Sequence, residues 1–175
     1  MIFVETKLAG VFIIEPELSK DERGFLTRTW SQSEFAEQGL NPQLVECNLS
    51  FNIRKGTLRG MHYQTAPFAQ AKLIRCPVGA IYDVAIDLRP GSATFRKWEA
   101  VELTAENRRM FYIPEGCAHG FQTLQDSSEV FYQMSQVYTP EFATGVRWND
   151  QAFGIEWPHD ERTIIPRDQN YPDFA

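Results

Sequence analysis

The sequence predicts an all-β sandwich or barrel, and three observations carry that expectation. Aromatic residues reach 13%, led by thirteen Phe, a composition that favours strands around a large apolar interior. Short β-rich runs are separated by turn residues such as Arg89-Pro90-Gly91-Ser92 and Pro114-Glu115-Gly116. Only one segment reads clearly as helix, which leaves many short strands to form the body.

Taken in chain order, the first residues contain acids and no basic stretch followed by a long apolar run. They predict neither a secretory signal nor a membrane span, hence a cytoplasmic protein with no membrane partner. The helix runs from Ser31 to about Gln38: Ser31 and Glu34 have capping-box spacing, and Gly39 is placed to end it. In Lys72 to Val78, Lys72 shares a face with Ile74, Cys76 and Val78. It is either a strand-end residue snorkelling to solvent or a cation aimed at a ligand. In Ala80 to Leu88 the even positions are apolar, while Asp83 and Asp87 share the other face with Ile81 and Ala85. One of those carboxylates is therefore a candidate to face a pocket. In Glu129 to Tyr138, Tyr132, Met134 and Tyr138 share one face, which suits a common cavity or simple core packing.

No repeat, linker or low-complexity stretch divides the 175 residues, so one domain over 1–175 is expected. The net charge of −6 argues against nucleic-acid binding, which needs a basic face. A phosphate-bearing ligand must be held by a few placed Arg and Lys side chains. Cys47, Cys76 and Cys117 are odd in number and widely spaced, which argues against a disulfide framework and a structural zinc site.

Three histidines differ in context. His159 lies in a polar stretch near the end and reads as surface. His62, in Gly56-Thr57-Leu58-Arg59-Gly60-Met61-His62-Tyr63-Gln64, and His119, in Pro114-Glu115-Gly116-Cys117-Ala118-His119-Gly120, are flanked by glycines that let a backbone bulge or approach a ligand. Arg59 and His62 are three apart, so a regular strand points them to opposite faces. If both enter one pocket, Gly60 must introduce a bulge or twist.

Pro114-x-Gly116-x-x-His119 resembles the second motif of the cupins, small barrels with a histidine pointing inward. The first motif of metal-binding cupins has two His separated by one residue; here the run is His62-Tyr63-Gln64. Two His without a clear third ligand fall short of a catalytic metal site, though His62, His119 and Asp83 could still converge. No metal and no cofactor are expected.

At this point the chain resembles the dTDP-4-dehydrorhamnose 3,5-epimerase family. The matching segments are Asp21-Glu22-Arg23-Gly24-Phe25, Gly56 to His62, Gln70-Ala71-Lys72-Leu73, Asp83 to Arg89, Ile113 to Phe121, and Tyr132 with Tyr138-Thr139-Pro140. Trp148-Asn149-Asp150 and Ile155-Glu156-Trp157-Pro158 follow in family order, with Arg167-Asp168 as the last element. The resemblance implies an all-β cupin-type double-stranded β-helix (a jelly-roll barrel) with a few short peripheral helices. It also implies a homodimer, with N-terminal strands exchanged between subunits as one possible arrangement.

The implied activity is epimerisation at carbons 3 and/or 5 of a nucleotide-linked 4-keto-6-deoxyhexose. The carbonyl acidifies the hydrogens on both flanking carbons. The enzyme removes one, holds the enolate and returns a proton to the opposite face. By resemblance His62 is the base, Asp168 orients it, Tyr132 is the acid on the far face, and Lys72 faces the oxygen at carbon 4. His119 and Arg59 are further pocket donors, with Asp83 as partner to His119. Tyr138 and Phe25 line the sugar and nucleotide site with Asn48, and Arg23 pairs with the pyrophosphate.

Departures from the family pattern bear on the nucleotide. Glu46 stands where Gln is expected, Asn52 falls near a usual Ser, and the Asn48–Gly56 segment is one residue longer. A Glu accepts from a cytosine amino group but cannot donate as Gln does, which leaves open a base other than thymine. Competing readings are a mono-epimerase on another nucleotide sugar, a metal cupin, a ketoisomerase and a non-catalytic sugar-nucleotide binder.

Overall fold

A computed structural model describes residues 1–174. Two antiparallel sheets face each other. The first contains β1 (Ile2–Glu5), β2 (Phe12–Glu15), β5 (Glu46–Asn52), β7 (Lys72–Val78), β10 (Met110–Ile113) and β12 (Ser128–Met134), in the order β1-β2-β10-β7-β12-β5. The second contains β6 (Leu58–Gln64), β8 (Ala80–Asp87), β9 (Trp98–Thr104), β11 (Cys117–Thr123) and β13 (Ala143–Gly145), in the order β13-β6-β11-β8-β9. A small hairpin of β3 (Ser19–Asp21) and β4 (Gly24–Leu26) stands apart. With only two short α-helices and one 3-10 turn beside these strands among the described residues, this is the expected all-β jelly roll of cupin type.

The strand parity explains where the core sits. Ile81 and Ala85 of β8 join Ile74, Phe111, Phe121 and Val130 between the sheets. The even residues Val84 and Ile86 are buried on the opposite side of β8, beneath Phe153, Ile155 and Trp157. Both faces of β8 are thus covered, and Asp83 looks into the interior between the sheets rather than toward water. Asp87 is buried too, but Arg89, Ser92 and Thr94 bond it at the strand end.

The helix α1 (Gln32–Glu37) forms where the sequence places it. Ser31 Oγ accepts from the Glu34 N–H at 3.5 Å, and Gly39 ends the turn at φ +71°. The reciprocal half of the capping box is absent: the Glu34 carboxylate accepts instead from Arg28 at 2.6 Å and the chain amino group at 3.2 Å. The strand expected to reach Tyr138 stops at Met134. Ser135 bonds the backbone of Ala71 in both directions, and the chain then leaves the sheet, so Tyr138 arrives from a loop. No helix among the described residues is long and apolar enough to cross a membrane.

Candidate active site

The glycines at the centre of the second sheet do the positioning. Gly60 sits at φ +129°, where a Cβ would meet Gly120 Cα at 2.5 Å and His119 O at 2.9 Å. Gly120 has no more room: its Cβ would meet Met61 Sδ at 2.5 Å and Arg59 O at 2.8 Å. The two glycines let β6 and β11 press together, and the register between them shifts from His119↔His62 to Phe121↔Arg59. The expected irregularity is therefore present, and both Arg59 and His62 line one cavity of about 470 Å³.

That cavity lies between the sheets. Arg59, His62, Gln64, His119 and Phe121 enter it from the second sheet; Glu46, Asn48, Ser50, Lys72, Tyr132 and Met134 enter from the first. Arg167 and Tyr171 close one side from α2 (Pro166–Gln169) and the residues after it. Tyr138 joins from its loop.

His62 Nε2 lies 2.8 Å from Asp168 Oδ1. The second oxygen, Oδ2, accepts from the Gly60 N–H at 3.1 Å, so the same irregular backbone that aims His62 also anchors its partner. Burial opposes the charge on Asp168, but its bonds to His62, Gly60 and Arg167 outweigh that and hold its carboxyl below the usual range. For His62 burial wins: its pKa falls below 6.5 despite the pull of Asp168, so the imidazole is neutral and basic at neutral pH.

Lys72 Nζ donates to the His62 carbonyl at 3.1 Å. Enclosure of the ammonium pushes its pKa down to about 8, so the strand-end residue aims inward, at the cavity. Tyr132 Oη sits 3.4 Å from Ser50 Oγ, and burial raises the phenol pKa well above its ordinary value. Its ring meets His119 edge-on at 6.0 Å. His119 Nε2 is bonded to Asp83 Oδ1 at 2.6 Å, and burial raises the Asp83 pKa, partly offset by His119. The two histidines thus bind separate carboxylates, and no cluster of three or more metal-ligating side chains occurs among the described residues.

One expectation differs from the observed geometry. Arg23 and Phe25 do not reach the cavity of their own chain. Arg23 pairs with Asp21 in the exposed hairpin, and the Arg108 guanidinium stacks over Phe25 at 4.4 Å. Glu46 lines the cavity, where Asn48 Nδ2 donates to its Oε1 at 2.8 Å and the Tyr138 N–H to its Oε2 at 2.9 Å, one bond to each oxygen. Asn52 is buried beneath the cavity, where its Oδ1 accepts from Arg59 Nε at 2.8 Å.

The structure also adds residues. Gln64 donates to Phe68 O and Val137 O and accepts from the Thr139 N–H, which fixes the loop that carries Tyr138. Arg167 Nη2 comes within 3.1 Å of His62 Nε2, and Tyr171 meets the His62 ring edge-on at 6.1 Å. The sequence signal for Arg167 is its place beside Asp168; nothing flags Tyr171.

Comparison with known proteins gives a consistent result. A family model described as dTDP-4-dehydrorhamnose 3,5-epimerase matches residues 5–175. The enzyme of that name from Methanothermobacter thermautotrophicus is 44% identical over 97% of this chain and 92% of its own. The crystal structure of the one from Elizabethkingia anophelis superposes with a TM-score of 0.97 at 40% identity, covering 99% of this chain and 96% of that one. A Legionella pneumophila epimerase solved with dTDP-4-keto-L-rhamnose gives 0.89 at 36% identity, covering 95% and 89%.

Proposed function

Since the chain belongs to the dTDP-4-dehydrorhamnose 3,5-epimerase family and is an isomerase, we propose that it epimerises dTDP-4-keto-6-deoxyglucose at carbons 3 and 5. The observation that carries the reading is the opposition of His62 and Tyr132. They come from facing sheets and line the same cavity, as removal of a proton from one face of a sugar and delivery to the other requires.

His62 takes the proton from carbon 3 or 5, and the electron pair of that C–H bond becomes the enolate across to carbon 4. Asp168 stabilises the imidazolium formed. Lys72 places its ammonium at the developing oxyanion, where the negative charge raises its proton affinity and keeps it charged. Tyr132 then gives its phenolic proton to the opposite face of the same carbon. Its raised pKa keeps it protonated at neutral pH until a carbanion is there to receive the proton. The phenolate regains a proton from water, and His62 releases its own. Arg59 and His119 are donors toward the sugar and diphosphate, with Asp83 holding His119.

The same reading makes the protein a homodimer. Leu49 and Phe51 on the edge strand β5, with Ile53 just past its end, leave an exposed apolar row, and Ile2 and Val4 do so on β1. A second copy seated there offers the β3–β4 hairpin, with Arg23 and Phe25, a route to a neighbouring cavity. Sedimentation equilibrium tests this, since a monomer at micromolar concentration contradicts it.

The activity is tested by proton NMR of dTDP-4-keto-6-deoxyglucose in deuterated water with catalytic protein. Deuterium at both carbons is expected. Exchange at one carbon makes it a mono-epimerase, and no exchange from folded protein overturns the reading.

A further inference from the structure

His62 Nε2 has two neighbours whose demands are incompatible. Asp168 Oδ1 is 2.8 Å away and Arg167 Nη2 is 3.1 Å away. An ionised carboxylate only accepts and a guanidinium only donates. A neutral imidazole carries either a proton or a lone pair at that nitrogen, so it serves one neighbour at a time.

We propose that Arg167 is a positioning residue that competes with Asp168 for His62 Nε2, so that the free site holds two imidazole tautomers and an anionic ligand selects the working one. The proposal rests on His62 being the base. When Nε2–H donates to Asp168, the lone pair is on Nδ1 and the ring can take a proton there. When Nε2 accepts from Arg167, the ring proton is on Nδ1 and that nitrogen cannot act as a base. To pass between the two, Nδ1 gives a proton to water and Nε2 takes one, with no net change in charge or proton count.

The two competitors differ in freedom. Asp168 is buried and tied to the Gly60 N–H. The Arg167 side chain is 56% exposed, lines the cavity and comes from a helix of four residues. Arg167 also grips the carboxylate itself, with its Nε donating to Asp168 Oδ1 at 3.1 Å. The other charged or titratable groups facing His62 leave Nε2 alone. Lys72 bonds its carbonyl, His119 is its cross-strand neighbour, and Tyr171 lies against the ring. A diphosphate offers a guanidinium charge-assisted, bidentate partners that a neutral nitrogen cannot match. Drawing Nη2 onto such an anion leaves Nε2 to Asp168. The base is then armed when substrate is present.

The test is NMR of the imidazole nitrogens of His62 in full-length, ¹⁵N-histidine-labelled protein, above the pKa of the ring, with and without saturating thymidine diphosphate. For the wild type, a mixed tautomer population is expected, shifting toward Nε2–H by about threefold or more on binding, the scale of one hydrogen bond. Arg167→Met is expected to hold Nε2–H without ligand and not to move further. Arg167→Gln serves as the second variant if the first folds poorly. A variant with the wild-type tautomer ratio overturns the competition. A wild-type ratio that stays fixed while calorimetry shows the nucleotide bound overturns the selection by ligand. Failure of the nucleotide to bind at all counts against the nucleotide-sugar reading instead, and the ligand-free comparison of wild type and variant still decides the competition.

Discussion

Two histidine–carboxylate pairs stand side by side on neighbouring strands, and their surroundings differ. His62 and His119 are register partners on β6 and β11, and each bonds an aspartate through Nε2, at 2.8 and 2.6 Å. The Asp168 carboxylate is given three donors, from His62, Gly60 and Arg167, and its pKa falls below the usual carboxylate range. Asp83 has only His119: its Oδ2 is buried with no hydrogen-bond partner, and burial raises its pKa. The first histidine is 30% exposed at the cavity wall and the second only 5%. The difference teaches that the pairing motif alone does not make a base. In the proposed reaction, solvent and substrate access and a well-satisfied carboxylate favour His62 as the base, and the enclosed pair is assigned the part of a fixed donor behind Tyr132.

The sharpest way to break that comparison is to remove the bases in turn. His62→Ala should lower kcat by about 10²–10⁴ with the fold intact, as loss of a general base does. An effect under about tenfold would move the base elsewhere. Lys72→Met should cost about 10²–10³ in kcat through loss of enolate stabilisation, with both variants read by proton NMR of substrate turnover. Asp168→Asn should reduce kcat at least about tenfold more than Asp83→Asn, since only the first loses the charge that supports an imidazolium. Equal losses would erase the distinction between the pairs.

Smaller effects come from pH. Because burial depresses the His62 pKa, the acid limb of kcat/KM should lie below 6.5, with activity falling as the ring protonates. The stability effect at Asp83 has the opposite sign to that of an ordinary paired carboxylate. Its folded pKa is raised, so its contribution is present below 3.8 and is lost as pH rises through the folded value. Asp83→Asn keeps an acceptor for His119 and removes the charge. Its urea stability relative to wild type should therefore improve as pH rises through that window, and a constant difference would contradict the assignment.

Much of this was legible in the residues. The spacing of Arg59 and His62 demanded an irregular strand, and Gly60 with Gly120 supplies it, because neither position has room for a Cβ. Parity left Lys72 open between solvent and a ligand and made one of Asp83 and Asp87 a candidate for a pocket; in the structure Lys72 lines the cavity and Asp83 is buried between the sheets. Ser31 and Gly39 bounded the helix. What escaped was set by tertiary contact. Glu34 was drawn from its capping role by Arg28 and the chain amino group, and Tyr138 was taken off its strand once Ser135 bonded Ala71. Arg167 and Tyr171 lie in a short turn with no periodicity to read, and they matter only because α2 folds back over His62.

Isotope exchange measured beside inversion, in His62→Ala and Tyr132→Phe under the same conditions in deuterated water, tests the opposition of the two groups most directly. With Tyr132 replaced, His62 should still remove the proton and return deuterium to the same face, giving exchange with little epimerised product. With His62 replaced, exchange and inversion should fall together. Exchange that survives the loss of His62, or that disappears with Tyr132 as completely as inversion does, would contradict a base and an acid on facing sheets.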